Sequence, residues 1–336
     1  MNWSRSANKA EQGGETDDLT RQMMRYLDCE CILFEPMDDD TELMRAYEEA
    51  RRRKGVVPML VQVDAVLMEC LLMNSDPEDA DEDEGSEVDR ILAEEEFLSE
   101  AGDDSDIADS AWKFRLSKVR AYREEILEKR IEDGDVYFQK LRDQMEVFFA
   151  SEGWDNPLTE AEAQSGDISP KGQEESAARR ESEAEGFAVQ NSQAEGLSAQ
   201  NEEAADEEHY ILDFGSIWEY GTGRTMKTIL AMLPVKEPWQ VFAWLPFGGW
   251  NECPDTLDLM TVAKYWYEKY GAVPAAVSHD ELEFVLPRPL TAKEAIETAC
   301  EQYLFCPDIV DQNGDGTIGY LANILEHAAG WYFWWD

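Results

Sequence analysis

Apolar and polar positions along the chain alternate in ways that predict two foldable stretches separated by polar ones. Residues 29–34, Cys-Glu-Cys-Ile-Leu-Phe, read as a strand, and 56–63, Val-Val-Pro-Met-Leu-Val-Gln-Val, as a second, more deeply buried strand. Between them Leu43, Met44, Tyr47 and Ala50 recur at helical spacing, with Asp40 or Thr41 as cap, Arg53 near the end and Gly55 as the stop. Asp64 opens a short helix ending near Met73. Residues 110–131 carry a helical stripe of Trp112, Leu116, Val119 and Ile126, and 135–150 repeat it through Leu141, Met145 and Phe148. The pattern leaves open whether these two helices join the main core or pair only with each other.

The C-terminal stretch is denser in elements. A strand over 225–233 ends at Pro234, and Pro238 starts a short helix over 239–245. A turn at Gly248-Gly249 leads into Trp250-Asn251-Glu252-Cys253-Pro254. Asp255 or Thr256 then caps a helix bearing Leu259, Val262, Ala263, Trp266 and Tyr270, ended by Gly271. Strands over 273–277 and 281–286 flank a turn at Ser278-His279-Asp280; in the second, Leu282, Phe284 and Leu286 alternate with Glu281 and Glu283. Thr291 and Glu294 form a capping box for a helix to Leu304. A last helix with Ile318, Leu321, Leu325 and Ala328 stops at Gly330. The chain closes on Trp331-Tyr332-Phe333-Trp334-Trp335-Asp336, read as a strand with Trp331, Phe333 and Trp335 on one side and Tyr332 and Trp334 on the other. This order indicates an α+β fold, a mixed β-sheet flanked by helices.

Charge then divides the chain. Of a formal net charge of −45, residues 209–336 carry −11 and the remainder −34. Residues 75–109 hold 17 acidic residues against Arg90 alone, and 152–208 hold 16 against Lys171, Arg179 and Arg180. Neither tract has the apolar residues to offset the entropy of ordering, so both are expected to be disordered acidic insertions. A ten-residue near-repeat, 184–191 and 194–201, marks the second as low-complexity sequence. The expected organisation is a disordered 1–25, a helix–strand unit over 26–74, a linker over 75–109, a helical pair over 110–150, a linker over 151–208 and a main domain over 209–336. Such acidity argues against nucleic acid and against anionic membranes as partners. With no apolar run of about 18 residues and no signal-like N-terminus, the expected location is cytoplasmic. Six cysteines, at 29, 31, 70, 253, 300 and 306, fit a reducing compartment, and the Cys29-x-Cys31 pair, too short to chelate as a CxxC pair does, reads as buried small apolar residues on one strand face.

Chemistry-bearing residues are few. Cys253, Cys306 and His279 lie beside turns and would form a thiol–imidazole pair if the fold joined them; the same residue types in the core are ordinary small apolar groups. Asp311, Asn313 and Asp315 followed by Gly316 match half of a calcium loop, but Ala322 stands where the bidentate Glu belongs, so helix capping is the plainer reading and no metal is expected. Glu252, Asp280, Glu283, Asp308 and Asp336 fall near element ends and could gather on one rim of the sheet, to cap backbone donors, hold a cation or transfer protons. Nothing in the sequence calls for a cofactor.

Trp250-Asn251-Glu252-Cys253-Pro254, Phe305-Cys306-Pro307-Asp308, Asp311-Gln312 and the closing Phe333-Trp334-Trp335-Asp336, in this order, resemble a bacterial family, domain of unknown function 4253. The resemblance is strong over 225–336 and weak over 42–66. It implies that the two foldable regions make one domain interrupted by the acidic tracts, and it brings no assigned activity. Two function classes follow. One is an acidic interaction module, of an immunity or inhibitor type, for a basic protein partner. The other is an enzyme of unknown reaction using Asn251, Cys253, Asp280 and Cys306; with no familiar nucleophile–base motif, the non-enzyme reading ranks first.

Overall fold

The computed structural model describes residues 17–75, 105–159, 161 and 214–336, with backbone alone for 105–111. In chain order the elements are α1 (Asp18–Leu27), β1 (Glu30–Phe34), α2 (Thr41–Arg51), β2 (Val57–Gln62), α3 (Ala65–Asn74), α4 (Ser105–Glu128) and α5 (Gly134–Glu152). Beyond residue 214 come β3 (Trp218–Glu219), β4 (Arg224–Thr225), β5 (Thr228–Leu233) and a 3-10 helix (Pro238–Ala243). They are followed by α6 (Thr256–Tyr270), β6 (Val273–Val277), β7 (Glu281–Val285), α7 (Ala292–Phe305), α8 (Asp308–Asp311), α9 (Ile318–His327) and β8 (Gly330–Trp334).

Six strands form one mixed sheet in the order β1-β5-β2-β6-β7-β8, while β3 and β4 pair separately. β2 and β6 run parallel, with Leu60 beside Ala276; the other neighbours in the sheet are antiparallel. The fold is α+β, and the N-terminal strands β1 and β2 flank β5 within the same sheet as the C-terminal strands. β2 and β5 are buried at every position, because both of their faces are covered; this is why their sequences run apolar without alternation.

The larger core lies on one face of the sheet, under α1, α3, α4, α5, α6, α7 and α9. Its centre is Trp266 of α6, fully buried, with ring centroids 5.2–5.6 Å from Phe284, Phe305, Trp331 and Phe333, the last stacked at 13°. The α4–α5 pair joins this core: Phe138 packs on Tyr265 and Trp266, and Tyr122 Oη donates to Thr256 Oγ1 at 3.1 Å. On the other face, Leu60, Leu230, Met232, Ala276 and Val285 are covered by Leu43, Tyr47 and Ala50 of α2 and by Phe214 and Ile217.

Several boundaries differ from the sequence reading. α1 starts inside the stretch expected to be disordered, because Asp17 accepts the Thr20 N–H at 2.9 Å and Met23, Tyr26 and Leu27 are buried. α4 reaches back to Ser105, and Leu158 and Ala161 are buried in the main core, so the acidic tracts are anchored at these ends. The expected strand over 225–233 breaks after Thr225, whose neighbour Met226 donates to Ile217 O at 2.6 Å and turns the chain aside before β5. Gly330 belongs to β8, opposite Val285, and does not end α9. The rest of 1–25 and of the two acidic tracts, with the near-repeat, lies outside the described residues. Among the described residues no helix is long and apolar enough to cross a membrane.

Candidate functional site

Because β2 and β6 are parallel neighbours, their carboxyl ends emerge side by side. Asp64 follows the first, and Ser278-His279-Asp280 follow the second. β7 departs from this end of the sheet and β8 finishes there, with Glu281 opposite Trp334. Asp64, Ser278, His279, Asp280, Glu281, Tyr332 and Trp334 therefore gather on one rim.

Hydrogen bonds fix the geometry of the rim. Ser278 Oγ lies 2.9 Å from Asp280 Oδ1 and 3.0 Å from Glu281 Oε2, and accepts the Glu281 N–H at 3.0 Å. Tyr332 Oη donates to Glu281 Oε1 at 2.7 Å, and Trp334 Nε1 to Asp280 Oδ2 at 3.2 Å. His279 Nδ1 stands 3.5 Å from Asp280 Oδ1 and 3.6 Å from Asp64 Oδ1, while Asp64 also caps α3 by accepting the Leu67 N–H at 2.8 Å. Burial, then the Glu281 carboxylate, pushes the Tyr332 phenol above its ordinary value, which keeps it a donor.

Glu283 lies two residues along the same face, 4% exposed, opposite Tyr332. Its carboxyl accepts the Ser216 N–H at 2.7 Å. Burial raises its pKa to about 7, against the hydrogen bonding from Ser216 that favours the charged form.

The three sequence motifs meet near this end in a structural arrangement. Cys306 Sγ donates to Trp334 O at 3.0 Å and Asp308 accepts the Asp336 N–H at 3.1 Å, so Phe305-Cys306-Pro307-Asp308 clasps the chain terminus. Trp331, Phe333 and Trp335 are buried; Tyr332 is exposed and Trp334 half-buried. Trp250-Asn251-Glu252-Cys253-Pro254 is a tight turn, with Gly249 N donating to Cys253 O at 3.0 Å, Trp250 Nε1 to Phe247 O at 2.9 Å, and Asn251 in the left-handed region at φ 45°. A Cβ on Gly248 would sit 1.9 Å from Pro254 O, so the turn requires glycine there. Asn251 and Glu252 face solvent.

Among the described residues neither candidate thiol has an imidazole partner. Burial pushes the Cys306 pKa up to about 12 and, with Cys306 nearby, raises that of Cys253 as well, whereas His279 turns to Asp64 and Asp280. Such thiols stay protonated at neutral pH and are poor nucleophiles. In the calcium-like segment, Asp315 accepts the Thr317 N–H and hydroxyl, and Asn313 accepts the Gly314 N–H; both serve the turn that leads into α9. Among the described residues no three His, Cys, Asp or Glu side chains are arranged to hold a metal ion.

Sequence reasoning singled out Asp280, His279, Trp334 and Glu283 but not Asp64, Ser278, Glu281 or Tyr332 as companions. The alternation of β7 and β8 carried the signal, since Glu281, Glu283, Tyr332 and Trp334 all occupy the positions opposite the apolar set. What was missing was that the two strands pair.

No curated protein and no solved structure was found to match the chain. The weak resemblance over 42–66 has no counterpart among the matches, while residues 229–336, which supply β5 to β8, the tight turn and the clasp on the terminus, match the family model of a domain of unknown function, DUF4253.

Proposed function

We propose that the rim recognises a basic segment of a partner protein. The observation that carries this reading is unbalanced charge. Among the described residues no Lys or Arg forms an ion pair with Asp64, Asp280, Glu281 or Asp308, while Glu301 is paired with Lys269, Glu294 with Arg288 and Asp17 with Lys227. Tyr332 and Trp334 stand among these acids, and an accessible aromatic face beside carboxylates suits a Lys or Arg side chain through cation–π contact and charge-assisted hydrogen bonds. The negative charge of the remaining chain would speed encounter at long range, leaving the rim to set register, as in an inhibitor that neutralises a basic partner. The enzyme alternative draws less support, because Cys253 and Cys306 are buried, protonated thiols and Asn251 lies on a separate turn.

Titration of the full chain with a fluorescent oligo-arginine peptide at two salt concentrations tests the reading. Glu281→Lys is expected to weaken binding at least about tenfold at low salt, with its thermal melt retained. Binding equal to the parent would assign the peptide to the acidic tracts and overturn the rim as the recognition surface.

A further inference from the structure

A second cluster lies at the opposite edge of the sheet, outside the segment that matches the family. Cys29 and Cys31 flank Glu30 at the start of β1, the edge strand, and their sulfurs are 3.8 Å apart. Both are half-buried, and Cys29 lines an open cleft of about 520 Å³ between α1 and α4 with Met24, Asp28, Trp112 and Leu116. Within electrostatic reach of Cys29 lies Arg123, 3% exposed, held by Tyr26 O at 2.7 Å and by the Tyr26 and Trp244 rings at 5.2 and 4.8 Å, with its Nε unpartnered. No carboxylate among the described residues forms an ion pair with this guanidinium.

We propose that Cys29 and Cys31 form a two-thiolate site for a soft monovalent metal ion of the copper(I) class, with a third ligand entering from the cleft. Spacing, donor number and charge converge on this class. Two metal–sulfur bonds of about 2.3 Å opened to 110–120° place the sulfurs about 3.8–4.0 Å apart, so chelation needs no rearrangement of the strand. A disulfide would instead require them to close to about 2.05 Å. Zinc in protein sites takes three or four protein ligands, and the described residues offer no third. Thiolate sulfur selects the soft d10 ions for which two or three donors suffice. Two thiolates and a monovalent cation leave one negative charge, and the buried Arg123 supplies the balancing positive charge.

The test uses the reduced full-length protein, titrated anaerobically with copper(I) against a chromophoric copper(I) chelator. One ion is expected to bind per chain, and Cys29→Ser and Cys31→Ser are each expected to lower affinity at least about 100-fold, since loss of an outer-shell partner alone commonly costs 10–100-fold. Cys70→Ser, at the other half-buried thiol, is expected to bind as the parent does. A second readout needs no variant: bound copper(I) should protect Cys29 and Cys31, and not Cys70, from alkylation mapped by peptide mass. Retained affinity in either Cys29→Ser or Cys31→Ser, protection confined to other cysteines, or zinc binding at the pair as tightly as copper(I) would each overturn the assignment, as would a protein that takes up no copper(I) and instead oxidises to a Cys29–Cys31 disulfide.

Discussion

The paired strands β7 and β8 present two faces built from alternate residues of the same ten positions, and the faces have opposite chemistry. One carries Leu282, Phe284, Trp331 and Phe333, all buried against Trp266 and its neighbours. The other carries Glu281, Glu283, Tyr332 and Trp334, joined by hydrogen bonds to Ser278, Asp280 and Ser216. The first face is a source of stability through apolar area removed from water, the second a polar surface whose position the first one fixes. Anything that loosens the aromatic side displaces the rim, while rim substitutions should leave the aromatic side intact.

That asymmetry is tested most severely by removing β8. A chain ending at Gly330 loses Trp331, Phe333 and Trp335, each fully buried. Truncating one buried Phe or Trp costs about 3–5 kcal/mol, against a total stability of about 5–15 kcal/mol for a domain. The shortened chain is expected to lack a cooperative thermal melt by circular dichroism. A melt close to that of the full chain would mean that the aromatic face contributes little and that the two faces are energetically alike.

Glu283 sets the next largest effect, on the polar face alone. Its pKa rises on folding from 4.5 to about 7. A raised carboxyl pKa means that the folded state binds the proton more tightly, so this contribution to stability is fully present below about 4.5 and is lost as pH rises through about 7. The difference corresponds to on the order of 3 kcal/mol. Glu294 and Asp17, both held at about 2 by partners led by Arg288 and Lys227 respectively, act in the opposite sense and lose stability as pH falls. Comparing Glu283→Gln with the parent at each pH cancels them. The two should melt within about a degree of each other near pH 4.5, and the variant should be the more stable at pH 8. An unchanged difference across this range would place Glu283 in contact with water.

Much of this contrast was legible in the sequence, because alternation in 281–286 and 331–335 reports which residues share a face. The Asp64 and Thr291 caps and the Gly271 stop were equally plain, since each needs only its neighbours in the chain, while the choice between Asp255 and Thr256 fell to Asp255. Partnership between distant strands was not legible: periodicity does not say that β5 sits between β1 and β2, or that β2 meets β6 in parallel, and the rim exists only through that pairing. The start of α1 was missed because the polar stretch over 1–16 lowered the apolar content, although Leu19, Met23, Tyr26 and Leu27 recur at helical spacing behind Asp17. Burial of Arg123 has no sequence signal, since it depends on two aromatic rings from separate segments.

The smallest expected effect concerns Asn251, in a turn that sequence reasoning treated as a candidate site and that lies apart from both faces. Its φ of 45° falls where a side chain with a Cβ is strained, and Asn is tolerated there better than most residues. If backbone conformation is the whole reason for Asn, glycine should replace it with a change in stability under about 0.5 kcal/mol, while Asn251→Ala should cost about 1–2 kcal/mol. Thermal melts of the two variants decide this, and the oligo-arginine titration extends it. Asn251→Gly should bind the peptide as the parent does, because the side chain is exposed and the rim residues are untouched. A glycine variant that melts normally but loses binding would move the recognition surface from the rim onto this turn, and the contrast between the two faces of β7 and β8 would then describe stability alone.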